Sequence, residues 1–218
     1  MRQHAARPFT LIELIAVMGV MILLAAVAIP AYSSLFSGRK TTLAANQLNG
    51  AVMEARAHAV SAKVYTALVF VRAEKASDKN YRAFRMAELY HDSDLASSPF
   101  KWRRWAPGSS FVLLPENTMV PDGKANLGTV DPKSKGDKGE HDLPKVTDVK
   151  SDGGFSGGDL YAIVFKPNGQ LAGTGNKNAV VRFVESNRYE ASPGQTPKLP
   201  LNINWLTCKT KFLDPVQQ

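Results

Sequence analysis

Between Phe9 and Ile29 the chain carries only two polar residues, Thr10 and Glu13, and this apolar run follows a basic stretch, Met1 to Pro8, that holds Arg2 and Arg7. Its 21 residues, rising about 1.5 Å each, span about 31 Å as a helix, which matches the hydrocarbon thickness of a bilayer and predicts one transmembrane helix. Arg2 and Arg7 put the start of that helix on the cytoplasmic side and everything after Pro30 outside. From Thr41 to Ala62 the period changes: Ala45, Leu48, Val52, Ala55, Ala59 and Ala62 recur at three- and four-residue spacing. That spacing predicts an amphipathic stem helix whose alanine-rich stripe lets a sheet approach closely.

Beyond Lys63 the pattern becomes short and strand-like. The runs are Val64 to Val71, Tyr81 to Tyr90, Ser110 to Leu114, Leu160 to Lys166, Ala179 to Glu185, and Leu201 to Phe212 with an interruption. They predict an antiparallel sheet, with Pro167-Asn168-Gly169 as a turn between two of its strands. The stretch Val120 to Asp159 is rich in Gly, Asp, Lys and Pro and is expected to be a long, mobile insertion. The segments are therefore a leader (1–8), a transmembrane and assembly helix (9–36), a stem (37–62) and a β-rich head (63–218) with a flexible insertion at about 120–159.

Composition changes this picture little. With 44% hydrophobic residues in 218, the chain suits one head domain plus an anchor. Lys and Arg outnumber Asp and Glu by 27 to 19, a net +8 that attracts nucleic acid or anionic lipid without choosing between them. Cys208 is the single cysteine, so packing must hold the head together without an intrachain disulfide, and the thiol is expected to be buried and inert.

Little catalytic chemistry is visible. Gly154-Phe155-Ser156-Gly157-Gly158 fits the spacing of a nucleophile elbow but precedes a strand-like run where an elbow needs a helix. His4, His58, His91 and His141 lie far apart with no metal-ligand spacing. The loop acids Asp122, Asp131, Asp137, Asp142, Asp148 and Asp152 do not have the spacing of a calcium loop. No catalytic residue, cofactor or metal is expected. One surface candidate remains, Lys101-Trp102-Arg103-Arg104-Trp105, where cations offset phosphate charge and rings stack on bases. The competing expectation is a strand or turn that buries its tryptophans and keeps its charges wet.

The apolar run also imitates a secretory signal ending at Ala26-Val27-Ala28. Glu13 argues against that, because a carboxylate in an apolar core costs about 2.5–3.5 kcal/mol on insertion scales and calls for a partner. Phe9-Thr10-Leu11-Ile12-Glu13-Leu14 followed by an apolar helix resembles the prepilin N-terminal motif of type IV pilins and type II secretion pseudopilins. The resemblance implies cleavage between Pro8 and Phe9 by a prepilin peptidase, methylation of the Phe9 amine, and Glu13 as the carboxylate that meets a neighbouring subunit's N-terminus during assembly. Pro30 conforms to the proline such helices carry. Pro8 stands where the family has Gly, so an unprocessed, membrane-anchored pilin-like protein is an alternative.

The stem from Leu43 to Ala59, followed directly by the first strand, together with Phe165-Lys166-Pro167-Asn168-Gly169, is similar to the GspH/FimT type of minor pseudopilin. That implies an α+β, type IV pilin-like lollipop: a long N-terminal helix, transmembrane in its first half, packed on an antiparallel sheet head. It further implies a bacterial inner-membrane, single-pass location with a cytoplasmic N-terminus and a periplasmic head, and other pilin or pseudopilin subunits as partners. The function implied is a structural, non-enzymatic subunit that assembles into or caps a type II secretion pseudopilus or related pilus. A DNA-binding minor pilin serving natural transformation is the other function considered.

Overall fold

A computed structural model describes residues 11–72, 80–92, 99–123, 126–130, 141–192, 196 and 198–212, with the side chains of 27–38 and 188 excepted. The chain divides into two compact units, Met1–Arg39 and Lys40–Gln218. Helix α1 is assigned over Leu11–Ala62. In the first unit its described side chains are exposed, among them Leu11, Ile12, Ile15, Met18 and Ile22.

The second unit is mainly β. Its strands are Tyr65–Val71 (β1), Ala83–His91 (β2), Phe100–Trp105 (β3), Val112–Leu113 (β4), Thr118–Met119 (β5), Leu127–Val130 (β6) and His141–Asp142 (β7). They continue with Lys145–Val149 (β8), Gly158–Phe165 (β9), Leu171–Ala172 (β10), Asn178–Glu185 (β11), Leu199–Ile203 (β12) and Thr210–Phe212 (β13), with a short helix α2 (Ser186–Ala191) after β11. β1 pairs antiparallel with β2 along its whole length, from Tyr65↔Leu89 to Val71↔Ala83, and on its other edge with β9, from Thr66↔Phe165 to Val69↔Ala162. β2 pairs with β3, β3 meets β8 in parallel through Lys101↔Thr147, and β8 pairs back onto β9. Five strands thus close into a ring, β1-β2-β3-β8-β9, which removes the free edges that an open sheet leaves. A second sheet runs β13-β12-β11-β6-β7, with β5 beside β11.

β1 reads Tyr-Thr-Ala-Leu-Val-Phe-Val with no polar alternation, and all six residues after Tyr65 are buried. Such a run suits a strand covered on both faces. Residues Leu160 to Phe165 of β9 are likewise buried, so the two neighbours share this environment. The stripe Ala44, Ala45, Leu48, Val52, Ala55 and Ala59 of α1 is fully buried in the same core as Phe70, Phe84 and Phe165. Polar ties reinforce the contact. Arg56 donates from Nε to the Gly169 carbonyl at 3.1 Å and from Nη1 to the Thr207 carbonyl at 2.7 Å, and Thr210 Oγ1 donates to Asn49 Oδ1 at 2.7 Å. Cys208 is buried and donates from Sγ to the same Gly169 carbonyl, and burial pushes its thiol pKa up. Its burial is what the composition suggests.

Three expectations are corrected. The lollipop with one antiparallel sheet gives way to a mostly β chain, in which a closed five-strand ring with one parallel pairing stands with a second sheet. The local pattern shows that a strand exists but not which distant strand it joins, so ring closure leaves no mark in it. The single-pass inner-membrane location is also overturned: among the described residues no helix is long and apolar enough to cross a membrane. The expected insertion at 120–159 supplies β6, β7 and β8, with Leu127, Leu143 and Val146 in the core. It looked loop-like because its apolar residues are few and widely spaced; residues 131–140 of it lie outside the described residues.

Gly169 is where α1 comes closest to the β9–β10 turn. Its φ is +81°, and a Cβ there would lie 3.0 Å from Val60 Cγ2 and 3.1 Å from Arg56 Nε. Gly175 has φ +58° but open space around it. Gly169→Ala is therefore expected to lower stability by about 2 kcal/mol, strain plus crowding against the Val60 and Arg56 side chains, whereas Gly175→Ala loses about 1 kcal/mol from strain alone. Urea melts of the two variants against the parent check the order.

Candidate functional site

The candidate nucleic-acid segment Lys101 to Trp105 forms β3, and its register against β2 explains what its side chains do. Glu88 pairs with Arg104 and Leu89 with Trp102, so Arg103 is an extra residue in a β-bulge. A bulge breaks the alternation of side chains and lets two successive residues reach toward one point. Here that point is the Glu88 carboxylate, only 3% exposed. Arg104 donates to it from Nε at 2.8 Å and from Nη2 at 3.2 Å, a two-pronged contact. Arg103 Nη1 stands 3.8 Å away. From α1, His58 brings Nε2 to 3.3 Å of Oε1. One buried carboxylate therefore collects two guanidinium groups of β3 and an imidazole of the stem helix.

The rest of the segment is engaged as well. Lys101 pairs with Asp148 at 3.0 Å, and Arg103 also lies over the Tyr90 ring at 5.4 Å. Trp102 and Trp105 meet edge to face at 6.0 Å, and Trp105 packs on Phe111 at 5.5 Å. Arg85 sits 4.9 Å from the Trp105 ring and 4.7 Å from the Phe111 ring and pairs with Asp152 at 2.6 Å, while Lys150 lies 5.7 Å over Trp102. Ring faces that would stack on bases are shared with the protein's own cations, and the cations that would meet phosphates already face carboxylates. The arrangement suits a clamp between helix and strand better than a phosphate cradle.

The other candidates do not join this cluster. Pro8 and Phe9 lie outside the described residues. Glu13 and Pro30 both fall inside the span of α1. Ser156 donates to the Arg72 carbonyl at 3.3 Å and leads straight into β9, without the helix a nucleophile elbow requires. Among the loop acids, Asp122 pairs with Arg72 at 3.2 Å and accepts from Tyr81 at 3.1 Å, while Asp148 and Asp152 pair with Lys101 and Arg85. Asp131 and Asp137 lie outside the described residues. No group of three or more metal-capable side chains occurs among the described residues.

Glu88 and His58 were not legible as a pair from sequence. The available signal was a carboxylate near the end of a largely apolar strand run, Ala83 to Leu89, a position that when buried demands a cation. No protein-family model, curated protein or solved structure matches the chain.

The Arg104 guanidinium beside Glu88 holds its carboxyl below the ordinary carboxylate range; burial opposes this, and His58 assists it. A folded-state pKa below the unfolded one means the stability Glu88 lends is complete above the unfolded value and drains away as pH falls through the folded one. Glu88→Gln is expected to lower stability by about 2 kcal/mol at neutral pH and by much less at about pH 3. Urea melts of parent and variant at both pH values measure the converging difference. Arg103→Ala with Arg104→Ala is expected to lower the melting temperature while leaving the salt slope of DNA binding unchanged. A slope that falls by about one per arginine would instead reveal phosphate contacts.

Proposed function

We propose that the chain is a structural, non-catalytic subunit of a pilin-like assembly, of the minor pseudopilin kind that its stem and the Phe165 to Gly169 segment resemble. The observation that carries this reading is the bare apolar surface at the start of α1. Leu11, Ile12, Leu14, Ile15, Val17, Met18, Val20, Met21, Ile22, Leu23 and Leu24 are each between 47% and 77% exposed. They occupy every side of the helix. A helix apolar all round is one built to be buried all round, and so large a bare surface marks an interaction site. Neighbouring subunits presenting the same kind of helix would bury it, with Glu13 as the one acid in that contact. The tight internal pairing of charges in the β3 cluster favours this reading over DNA uptake.

Two charged substitutions on one side of the helix test it. Ile15→Asp with Ile22→Asp places carboxylates one heptad apart in the proposed contact, and incorporation into sheared fibres is expected to fall about tenfold or more. The melting temperature of the second unit should not change, because neither residue belongs to its core. Incorporation at the parental level would defeat the proposal.

A further inference from the structure

A small cleft opens between α1 and the strands of the ring, and the residues lining it call for a particular guest. Its apolar wall is made by Leu68 of β1, Phe84 and Met86 of β2, and Val112 of β4. Gly108, with φ +74° and no atom within 4 Å of where a Cβ would stand, leaves one side open. The enclosed space is about 100 Å³, enough for one slender side chain. Glu54 of α1 stands at the cleft, exposed, and enters no ion pair or hydrogen bond among the described residues. Arg85 also lines the cleft, but Asp152 and the two rings beside it already hold its charge.

A narrow cleft with apolar side chains in its wall, Ser109 and Ser110 beside them, and at its mouth a carboxylate with no partner among the described residues fits an alkyl stem that ends in a cation. Lysine has that form: it lays its methylenes on apolar surface and keeps its ammonium at the polar edge. This chain carries the complement itself. Its net charge is +8, and Lys63, Lys209 and Lys211 are exposed with no ion pair among the described residues. Lys209 and Lys211 stand on and beside the edge strand β13, open to a neighbour.

We propose that the Glu54 cleft is a docking site for a lysine of a second copy of this chain, so that one copy's acid meets the other's basic surface. The proposal rests on the reading of the chain as an assembling subunit and adds a contact made by the second unit, separate from the apolar helix. An exposed pair of this kind contributes modestly and weakens with salt, so it sets register between copies more than it sets affinity.

The test uses an equal mixture of unlabelled and ¹⁵N-labelled full chain, treated with a carbodiimide that condenses a carboxylate with an amine in contact with it. Peptide mass spectrometry should find Glu54 joined to a lysine with one peptide of each isotope, the yield falling several-fold when salt is raised. Glu54→Gln should abolish that product with an unchanged melting temperature, and Lys209→Gln with Lys211→Gln should reduce it if the β13 edge supplies the amine. Glu54 joined only to lysines of its own copy, or to none, would overturn the proposal. Failure of the assembly reading would show separately, as parental incorporation of the Ile15→Asp, Ile22→Asp chain.

Discussion

β1 is hydrogen-bonded along both edges and covered on both faces, and the rest of the second unit is arranged to keep it so. Its pairing with β2 on one side and β9 on the other makes ring closure possible, because β2 leads to β3 and β9 leads back to β8. With every residue from Thr66 to Val71 buried, each of its backbone donors and acceptors needs a strand partner, since water cannot serve them. The alanine stripe of α1 lies in the same core, and small side chains allow close packing where leucines would hold the helix away. The stem and the first strand, joined by the short turn at Lys63, are in this sense one packing unit.

Burying a carboxylate in that setting is permissible only with partners, and the Glu88 cluster shows how they were found. The bulge at Arg103 costs one residue of regular pairing with β2 and returns two guanidinium groups aimed at the same oxygen atoms. His58 adds a third contact from α1, so the cluster ties helix, second strand and third strand through one side chain. A charged network inside a fold adds orientation more reliably than raw stability, since its desolvation offsets much of its attraction. The same pairing accounts for the fate of the basic segment: a motif that in sequence resembles a nucleic-acid platform serves mainly to neutralise an internal acid.

The functional proposal and the docking inference concern the surfaces left over when this internal matching is complete. Among the described residues, the charges of β3 and of Asp122, Asp148 and Asp152 are paired within the molecule, as are ring faces between Trp102 and Phe155. Among the described residues the exposed groups these proposals use are the apolar side chains early in α1 and, on the second unit, the Glu54 carboxylate at its cleft and the lysines Lys63, Lys209 and Lys211. Large bare apolar surface is where partners are expected.

By itself the sequence determined the local features. The apolar run, the alanine stripe from Ala45 to Ala59, and the strand runs that became β1, β2, β4, β9, β11, β12 and β13 all follow from periods that neighbouring residues alone set up. β6 and β8 escaped notice because each is short and borders Gly-, Asp- and Lys-rich stretches, where two or three buried side chains make no visible period. The partner of each strand, the closed ring in place of an open sheet, and the pairing of Glu88 with Arg104 and His58 were decided only in the tertiary structure. The physical reason is that hydrogen-bond register and charge pairing join residues far apart in the chain, such as Thr66 and Phe165 or His58 and Glu88. No local pattern of hydrophobic and polar positions carries that information.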